Sequence, residues 1–322
     1  MREVLSQSNS AVKVPCPVCC KEGRNVWYLK TKNKESFTIW RCPGCGLTYS
    51  HNEDKKAIDY KQVYGQDFYE QGLCAQTSPV REINERRVVA GVLDFLKKNL
   101  PSVPGRMLDV GSGDGLHLKL FHEAGWDVQG TEVSPFAIEH VRAAYGFPVS
   151  LGDLRNIPFD ERSFDYVQMR HVIEHVPEDP VGMLRKIALL LKPGGILRLD
   201  TPNLGLAGRA VLAVQHAACF KRKLLGQPLG DYLYSYGNLE PPEHVLWFTR
   251  RSLSIALRKA GLKPLYVIAT HQGDPLHYPL KWHERLTWIQ HLYRASDRLG
   301  SLLGAGNVLV CYATVAATES NA

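Results

Sequence analysis

Two histidines and a glutamate fall within five residues in the segment RHVIEHVPEDP, residues 170–180. His171, Glu174 and His175 are separated by spacings that bring side chains to one face of a helical turn. Such a group can act as a general base or substrate contact through His175 or His171, bind a metal ion, or form a hydrogen-bonded structural corner. His244, in the later segment PPEHVLWFT, is a candidate fourth member. The residues alone leave all three interpretations open.

Four of the eight cysteines form two C-x2-C pairs, in the segments CPVC and CPGC. Cys16, Cys19, Cys42 and Cys45 therefore have the spacing of a tetrahedral zinc site built from thiolates. The residues between the pairs alternate as two strands do, with KNKES as their turn. We predict a zinc ribbon at residues 14–50, whose zinc is structural because so small a module needs a metal to fold. A redox dithiol is the alternative.

The composition is that of an ordinary globular chain, with 322 residues, 44% hydrophobic and 22% charged. The first residues lack the apolar core of a signal peptide, and no apolar run is long enough to span a membrane. We therefore expect a cytoplasmic protein, in which paired cysteines indicate metal ligation before disulfides. The net charge of +7 fits a neutral enzyme or a weak binder of anions. The charges of the ribbon alternate in sign, which favours a solvated surface.

The larger part of the chain begins with a helix and then the segment RMLDVGSGDG at residues 106–115. A short apolar strand runs there into a turn with Gly111, Gly113 and Gly115, which let the backbone approach a ligand closely. The next strand, DVQGTE, ends at Glu132, where a carboxylate can accept both hydroxyls of a ribose. Asp153 is expected to close a third strand. Two further strands follow in FDYVQMR and LKPGGILRLDTPN.

These motifs together resemble the class I S-adenosylmethionine-dependent methyltransferases over roughly residues 80–270. The resemblance rests on LDVGSGDG, Glu132, GDL…IPF, FDYVQMRHVIEHV and LKPGGILRLDTPN. It implies an α/β fold with a doubly wound sheet of seven strands, the last of them antiparallel. The segments LKPLYVIAT and NVLVCYATVA are similar to the final two strands of that sheet.

The resemblance also implies S-adenosylmethionine as cofactor and assigns residues to its parts. Asp109 and the backbone at Gly111 to Gly113 would hold the methionine part, Glu132 the ribose, and Asp153 with Leu154 the adenine. The complete set of cofactor residues predicted in this way is Asp109, Gly111, Ser112, Gly113, Gly115, Glu132, Val133, Asp153, Leu154 and Arg170.

The histidine segment is similar to two branches of the same family. Ubiquinone-pathway O-methyltransferases have a related Glu-His-Val turn. Small-RNA 2′-O-methyltransferases have Glu-x-x-Glu-His and a later histidine, which together bind a divalent cation. The resemblance therefore implies a second metal site of His171, Glu174, His175 and His244 for a cation such as magnesium. This sequence departs from that pattern at one position, where it has His171 instead of a glutamate.

The predicted organisation is a zinc ribbon at 14–50, a connecting segment at 51–80 and a methyltransferase domain at 81–322. An insertion at about 203–242 is predicted to cover the substrate as a lid, or to contact a membrane surface. The chain is similar to bacterial methyltransferases of polysaccharide and secondary-metabolite pathways, which implies O-methylation of a small-molecule, sugar or lipid-linked hydroxyl. The alternatives are an RNA methyltransferase that binds nucleic acid through its basic zinc ribbon, and a catalytically inactive binding protein of the same fold.

Overall fold

The computed structural model describes residues 14–30, 36–52, 65, 79–204, 244–270, 306 and 308–315. Most of the predicted connecting segment, and nearly all of the predicted lid, lie outside the described residues. The strands are β1 (Arg24–Lys30), β2 (Ser36–Arg41), β3 (Thr48–Asn52), β4 (Arg106–Val110), β5 (Asp127–Glu132), β6 (Val149–Leu151), β7 (Phe164–Arg170), β8 (Leu191–Pro202), β9 (Leu246–Trp247), β10 (Leu262–Thr270) and β11 (Val308–Val315). The helices are α1 (Pro79–Asn99), α2 (Leu116–Glu123), α3 (Pro135–Tyr145), α4 (Pro180–Leu190) and α5 (Arg250–Lys259).

The larger sheet has seven strands in the order β10-β11-β8-β7-β4-β5-β6. Strands β4 to β8 pair in parallel, whereas β11 is antiparallel to both of its neighbours. The chain order moves outward from β4 to β6 and then returns to β7, so the winding direction reverses beside β4. Ligands of open α/β sheets bind at the carboxyl ends of strands at such a reversal. The predicted doubly wound sheet with an antiparallel last strand is confirmed.

Each face of this sheet has its own apolar core, because successive side chains of a strand point to opposite faces. Helices α1 and α2 pack on one face, where their side chains surround Met107 and Tyr166. Helices α4 and α5 pack on the other face, around Leu108 and Val167. The sheet is therefore buried on both sides, so that consecutive residues of a central strand, such as Met107 and Leu108 of β4, are both buried.

Short turns with defined caps connect the carboxyl ends of the strands to the helices. Ser134 caps α3 by accepting a hydrogen bond from the N–H of Ala137. Asp179 caps α4 by accepting a hydrogen bond from the N–H of Gly182, with Pro180 as the first helical residue. Between β7 and α4 the chain forms a single 3-10 turn at Ile173–His175. This turn contains Glu174 and His175.

The smaller sheet has four strands in the order β1-β2-β3-β9. Strands β1 and β2 are the predicted antiparallel pair, while β3 and β9 were not predicted. The module with the paired cysteines, residues 14–50, is hereafter the cysteine module. Strand β9 lies far from it along the chain, yet Leu246 pairs with Tyr49 and Trp247 with Thr48. Buried side chains of this module belong to the same apolar core as α4 and α5. The cysteine module is therefore built into the face of the larger domain.

Candidate active site and candidate metal centres

The loop after β4 adopts backbone angles that favour glycine. Gly111, Gly113 and Gly115 have φ values of +71°, +55° and +76°, in the left-handed region. A Cβ atom on Gly111 would lie 2.5 Å from Cγ2 of Val172, so any side chain there would collide with the neighbouring turn. The Oγ atom of Ser112 is buried and has no hydrogen-bond partner among the described residues. The loop from Gly111 to Gly115 is hereafter the glycine cradle. A narrow loop of this kind with an unsatisfied polar atom is suited to a polar ligand such as a nucleoside.

The carboxylate of Glu132 links this loop to the beginning of α3. Its Oε2 atom accepts a hydrogen bond from the N–H of Gly113 at 3.0 Å. Its Oε1 atom accepts from the N–H groups of Val133 at 2.7 Å and Ser134 at 3.0 Å. A carboxylate has about four acceptor positions, so Glu132 is held rigidly and retains one position for a ligand hydroxyl.

Asp109 lies at the floor of the cradle, near the end of β4. It is only 4% exposed, and burial raises the pKa of its carboxyl group to about 7, with the charges of Glu132 and Asp114 adding to the rise. Contacts with Gln168 and Arg170 act in the opposite direction. A carboxyl group balanced in this way can change protonation when a cationic ligand arrives.

The predicted adenine residues lie after β6 at the same edge of the sheet. The strand ends at Leu151, so the prediction that Asp153 closes it is wrong by two residues. Asp153 instead caps a 3-10 turn at Leu154–Asn156, accepting from the N–H of Arg155 at 2.8 Å. Leu154 is buried. Although burial raises it, the pKa of Asp153 stays below its ordinary value because Arg155 pairs with the carboxylate.

Arg170, which was predicted to contact the cofactor, belongs to a buried network of charges at the end of β7. Its Nε atom lies 3.0 Å from Oδ2 of Asp200, and its Nη1 atom lies 3.3 Å from Oε2 of Glu85. The same Glu85 oxygen lies 2.7 Å from Nε2 of His117, and Arg198 also pairs with Asp200. This network was not predicted from the sequence, because its members come from α1, α2, β7 and β8 and no local pattern joins them.

Glu174 is the centre of the histidine group and is completely buried. Its Oε2 atom accepts from the hydroxyl of Thr201 at 3.0 Å, and its Oε1 atom lies 3.3 Å from Nδ1 of His171. Although burial raises it, the pKa of Glu174 lies below its ordinary value because of the hydrogen bond from His171 and the charges of the surrounding histidines. Thr201 was not among the predicted site residues, although it lies near the carboxyl end of β8 at the ligand-binding edge.

His175 and His244 complete a cluster with Glu174, hereafter the Glu-His cluster. Their rings lie 4.9 Å apart between centroids, and one ligand atom from each of the three residues lies within 4.8 Å of the others. Burial lowers the pKa of His244 to about 4, helped by the charges of His175 and His171 and opposed by Glu174. The Nδ1 atom of His244 is buried without a partner among the described residues. His171 contacts Glu174 but is not one of these three converging groups.

Two contacts fix the position of the Glu-His cluster. Val172 precedes the 3-10 turn and packs against Gly111. A Cβ atom added to Gly111 would lie 2.5 Å from Cγ2 of Val172. On the other side, the N–H of Val245 donates to the carbonyl of Glu174 at 3.0 Å, and its carbonyl accepts from the N–H of Ser50 at 2.9 Å. The cluster therefore lies between the glycine cradle and the cysteine module.

The four paired cysteines come together at one point. Sγ of Cys16 lies 3.5 Å from Sγ of Cys45, and Sγ of Cys19 lies 3.3 Å from Sγ of Cys42. All four sulfur atoms lie within 4.8 Å of one another. Zinc–sulfur bonds of about 2.3 Å in a tetrahedron place the sulfur atoms about 3.8 Å apart. This geometry fits a zinc ion.

Comparison with known proteins identifies the class to which this architecture belongs. The family described as "Methyltransferase domain" matches residues 80–267, more than half of the chain. The ubiquinone biosynthesis O-methyltransferase of Xanthomonas oryzae pv. oryzae (strain PXO99A) is 32% identical over 170 residues, which cover 51% of this chain and 68% of that protein. The corresponding protein of Xanthomonas axonopodis pv. citri (strain 306) is 31% identical over 177 residues, covering 53% and 68%.

The chain belongs to the class I S-adenosylmethionine-dependent methyltransferases and is an enzyme of that family. A solved S-adenosylmethionine-dependent methyltransferase from Archaeoglobus fulgidus is similar to it with a TM-score of 0.46 and 17% identity, over 71% of this chain and 94% of that one. Within the described part of the chain, no helix is both long enough and apolar enough to cross a membrane.

Proposed function

We propose that this enzyme transfers the methyl group of S-adenosylmethionine to a hydroxyl oxygen of a small molecule, a sugar or a lipid-linked glycoside. The observation that supports this most is the Glu-His cluster, which lies against the glycine cradle through Val172. An oxygen acceptor must lose a proton as it is methylated, so a proton-accepting group is needed beside the donor. The name of the Xanthomonas relatives, O-methyltransferase, agrees with an oxygen acceptor.

The cradle is the proposed binding site of the cofactor. Asp109 and the loop from Gly111 to Gly113 would hold the methionine part, with the hydroxyl of Ser112 as a further donor. The remaining acceptor position of Glu132 would take the ribose. Asp153, Leu154 and Val133 would surround the adenine, Gly115 would allow the turn, and Arg170 would act through its pairing with Asp200. The cofactor supplies an activated methyl group, while these residues bind and orient it.

His175 of the Glu-His cluster is the proposed general base, with the neighbouring His171 as the alternative. Glu174 is held in place by Thr201 and is ionised, so its negative charge stabilises an adjacent imidazole that gains a proton. A base in this position contributes about 10²- to 10⁴-fold to a rate.

The same side chains also form a set of ligands for a divalent cation. His244 stays neutral at pH 7 because of its lowered pKa, and its Nδ1 atom has an unused lone pair or proton. Two imidazoles and one carboxylate suit zinc, manganese or cobalt better than magnesium, which prefers oxygen ligands. A bound cation would lower the pKa of an acceptor hydroxyl. In that case the proton would pass to solvent, because side chains that ligate the cation cannot also accept it, so the cation site is the alternative to the general base.

Zinc bound to the four cysteines is proposed to hold the 14–50 module in its folded form, and thereby to support the active site. Strand β3 of the module pairs with β9, and the N–H of Ser50 donates a hydrogen bond to the carbonyl of Val245. Val245 directly follows His244 and also binds Glu174. The module therefore positions one side of the Glu-His cluster. The segments at 51–80 and about 203–242 are proposed to connect the module and to cover the acceptor.

The test is incubation of the purified enzyme with radiolabelled S-adenosylmethionine and a fractionated metabolite extract from a bacterium. We expect the label in a small molecule, as a methyl ether that resists alkaline hydrolysis. Label on nitrogen or carbon would contradict O-methylation, and label confined to RNA would replace the proposal by the RNA methyltransferase alternative. Absence of heat on titration with S-adenosylhomocysteine would remove the proposed cradle as well.

A further inference from the structure

A chain of buried polar side chains lies beside Asp109, on the face of the large sheet that α1 and α2 cover. Gln168 is opposite Asp109 in the parallel register of β4 and β7, and it is only 1% exposed. The hydroxyl of Tyr166 donates to Oε1 of Gln168 at 3.3 Å. This contact leaves the NH2 group of Gln168 for two other neighbours, Nδ1 of His117 at 3.2 Å and the carboxyl group of Asp109.

His117 of α2 holds this amide in place and is itself held by α1. Its Nε2 atom lies 2.7 Å from Oε2 of Glu85 and also contacts Nη1 of Arg170. Burial lowers the pKa of His117, and the charge of Arg170 adds to the decrease, so the imidazole is neutral and donates from one nitrogen only. With the proton on Nε2, Nδ1 accepts from the NH2 group of Gln168; with the proton on Nδ1, it donates to Oε1. In both tautomers the NH2 group keeps a proton for Asp109.

The surrounding core is apolar, so packing alone does not require this network. Met107, Leu118 and Phe121 on the same face are completely buried. Within the described part of the chain, every buried nitrogen and oxygen atom of the network has a partner. Replacing a satisfied polar group of this kind by apolar residues of the same shape is often neutral or stabilising. The network ends at the carboxyl group on the floor of the cradle, which points to a role in the site.

We propose that Gln168 and His117 are positioning residues that favour the ionised form of Asp109 and direct it at the ammonium group of the cofactor. This inference rests on the proposed cofactor site, because Asp109 would pair there with the methionine part. A hydrogen bond donated to a carboxylate favours its charged form over its protonated form. Without the donor from Gln168, Asp109 would keep its proton to a higher pH, and the cradle would bind the cofactor well only in more alkaline solution.

The charges around Asp109 leave it as a group that titrates near neutral pH. Burial raises its pKa to about 7. Burial also raises the pKa of Tyr166 well above its ordinary value, so Tyr166 stays neutral. The titratable and charged groups that face Asp109 or its network are Glu85 of α1, Asp114 of the loop after β4, His117 of α2, Glu132 of β5, Tyr166 and Arg170 of β7, and Arg198 and Asp200 of β8.

The experiment measures the affinity for S-adenosylhomocysteine by calorimetry from about pH 6 to about pH 8.5. Gln168→Met keeps nearly the shape of the side chain and removes the donor. Gln129→Met is the matched control, because Gln129 of β5 is opposite Leu108 in the register, points to the other face of the sheet and accepts from Arg106. We expect Gln168→Met to bind about tenfold more weakly than the wild type at pH 6 and within about twofold at pH 8.5, because the midpoint moves up by about one pH unit. The control should follow the wild type at every pH.

A second pair of variants makes the same test if Gln168→Met does not fold. His117→Leu removes the support of the amide and should move the midpoint in the same direction. His117→Asn can still form a hydrogen bond with Gln168 and should have a profile closer to that of the wild type. Affinity that is unchanged, or lowered equally at every pH, would overturn the inference and leave the cofactor site intact. If the wild type itself gives no heat with S-adenosylhomocysteine at any pH, the proposed cofactor site fails, and this inference fails with it.

Discussion

Two buried carboxylates at the ligand-binding edge of the sheet are held in different ways. Glu132 accepts hydrogen bonds from three backbone amides, those of Gly113, Val133 and Ser134. Glu174 is held by side chains, the hydroxyl of Thr201 and the imidazole of His171. Backbone amides are fixed once the loop folds, whereas Thr201 of β8 must be brought beside Glu174 by the tertiary fold. The first carboxylate is therefore part of a local motif, and the second is part of a tertiary assembly.

This difference predicts that substitutions can affect binding of the methyl donor and removal of the acceptor proton separately. Apart from Arg170, the proposed cofactor residues lie in β4, β5 and the turns that follow β4, β5 and β6. The Glu-His cluster needs β7, β8, and β9 with its support from the cysteine module. Changes in the cradle should abolish cofactor binding, whereas changes in the cluster or the module should lower turnover and leave cofactor affinity nearly intact.

The largest effect is expected from Gly111→Ala. The new Cβ would meet Val172 at 2.5 Å and would impose a left-handed φ on an alanine. Affinity for S-adenosylhomocysteine, measured by calorimetry, should fall about a hundredfold or more. Gly91→Ala is the control, because a Cβ there meets nothing within 4 Å in α1, and it should leave affinity unchanged and stability slightly higher. Equal affinities in the two variants would contradict the description of the cradle.

His175→Ala should separate the two regions most clearly. We expect the turnover number to fall about a hundredfold, because the base is lost, and affinity for S-adenosylhomocysteine to change by less than about twofold. His122→Ala, at an exposed position at the end of α2, should change neither. Unaltered turnover in His175→Ala would transfer the role to another residue, with His171→Ala as the next variant to measure.

Cys19→Ser tests the support that the module gives to the cluster. Cys19 is the partly exposed member of the four thiols, so the substitution removes a zinc ligand with little loss of packing. Turnover should fall by roughly tenfold to a hundredfold, since small displacements of catalytic groups are costly, while cofactor affinity is retained. Cys20→Ser is the control, an exposed thiol next to the site. If zinc is lost without any loss of turnover, the module has no role in catalysis.

The smallest effect concerns pH and belongs to the cradle. The pKa of Asp109 is raised to about 7 by burial, so below pH 7 its carboxyl group keeps a proton that it must lose to pair with the ammonium group of the cofactor. Affinity for S-adenosylhomocysteine should therefore rise about tenfold between pH 6 and pH 8 and then level off. Asp109→Asn should bind more weakly and lose this dependence. The same pH dependence in the variant would assign the titration to another group.

The local parts of the molecule were predictable from the sequence because their physics is local. The strand before Gly111 and the strand ending at Glu132 each depend on residues that are neighbours in the chain. The sheet of seven strands with an antiparallel last strand was predicted through the resemblance to the methyltransferase family, and the structure has such a sheet. The cysteine spacing likewise predicted the meeting of the four thiols.

The parts that were missed depend on contacts between distant residues. Strand β9 has only two residues, and its pairing with β3 has no periodic pattern in the sequence. Thr201 and His117 are ordinary in their own segments and become site residues only when β8 and α2 reach the same edge. His171 was predicted as an equal member of the metal group, but its left-handed backbone, with φ of +53°, directs the chain differently from a regular helical turn.

The most direct test of the account is a crystal structure of the enzyme with S-adenosylhomocysteine. We predict that the ligand lies along the loop from Gly111 to Gly115 with one ribose hydroxyl bonded to Glu132, and that its sulfur atom faces the Glu-His cluster. A ligand bound elsewhere, or a sulfur atom that faces away from His175 and His244, would contradict the proposal that these two regions form one active site.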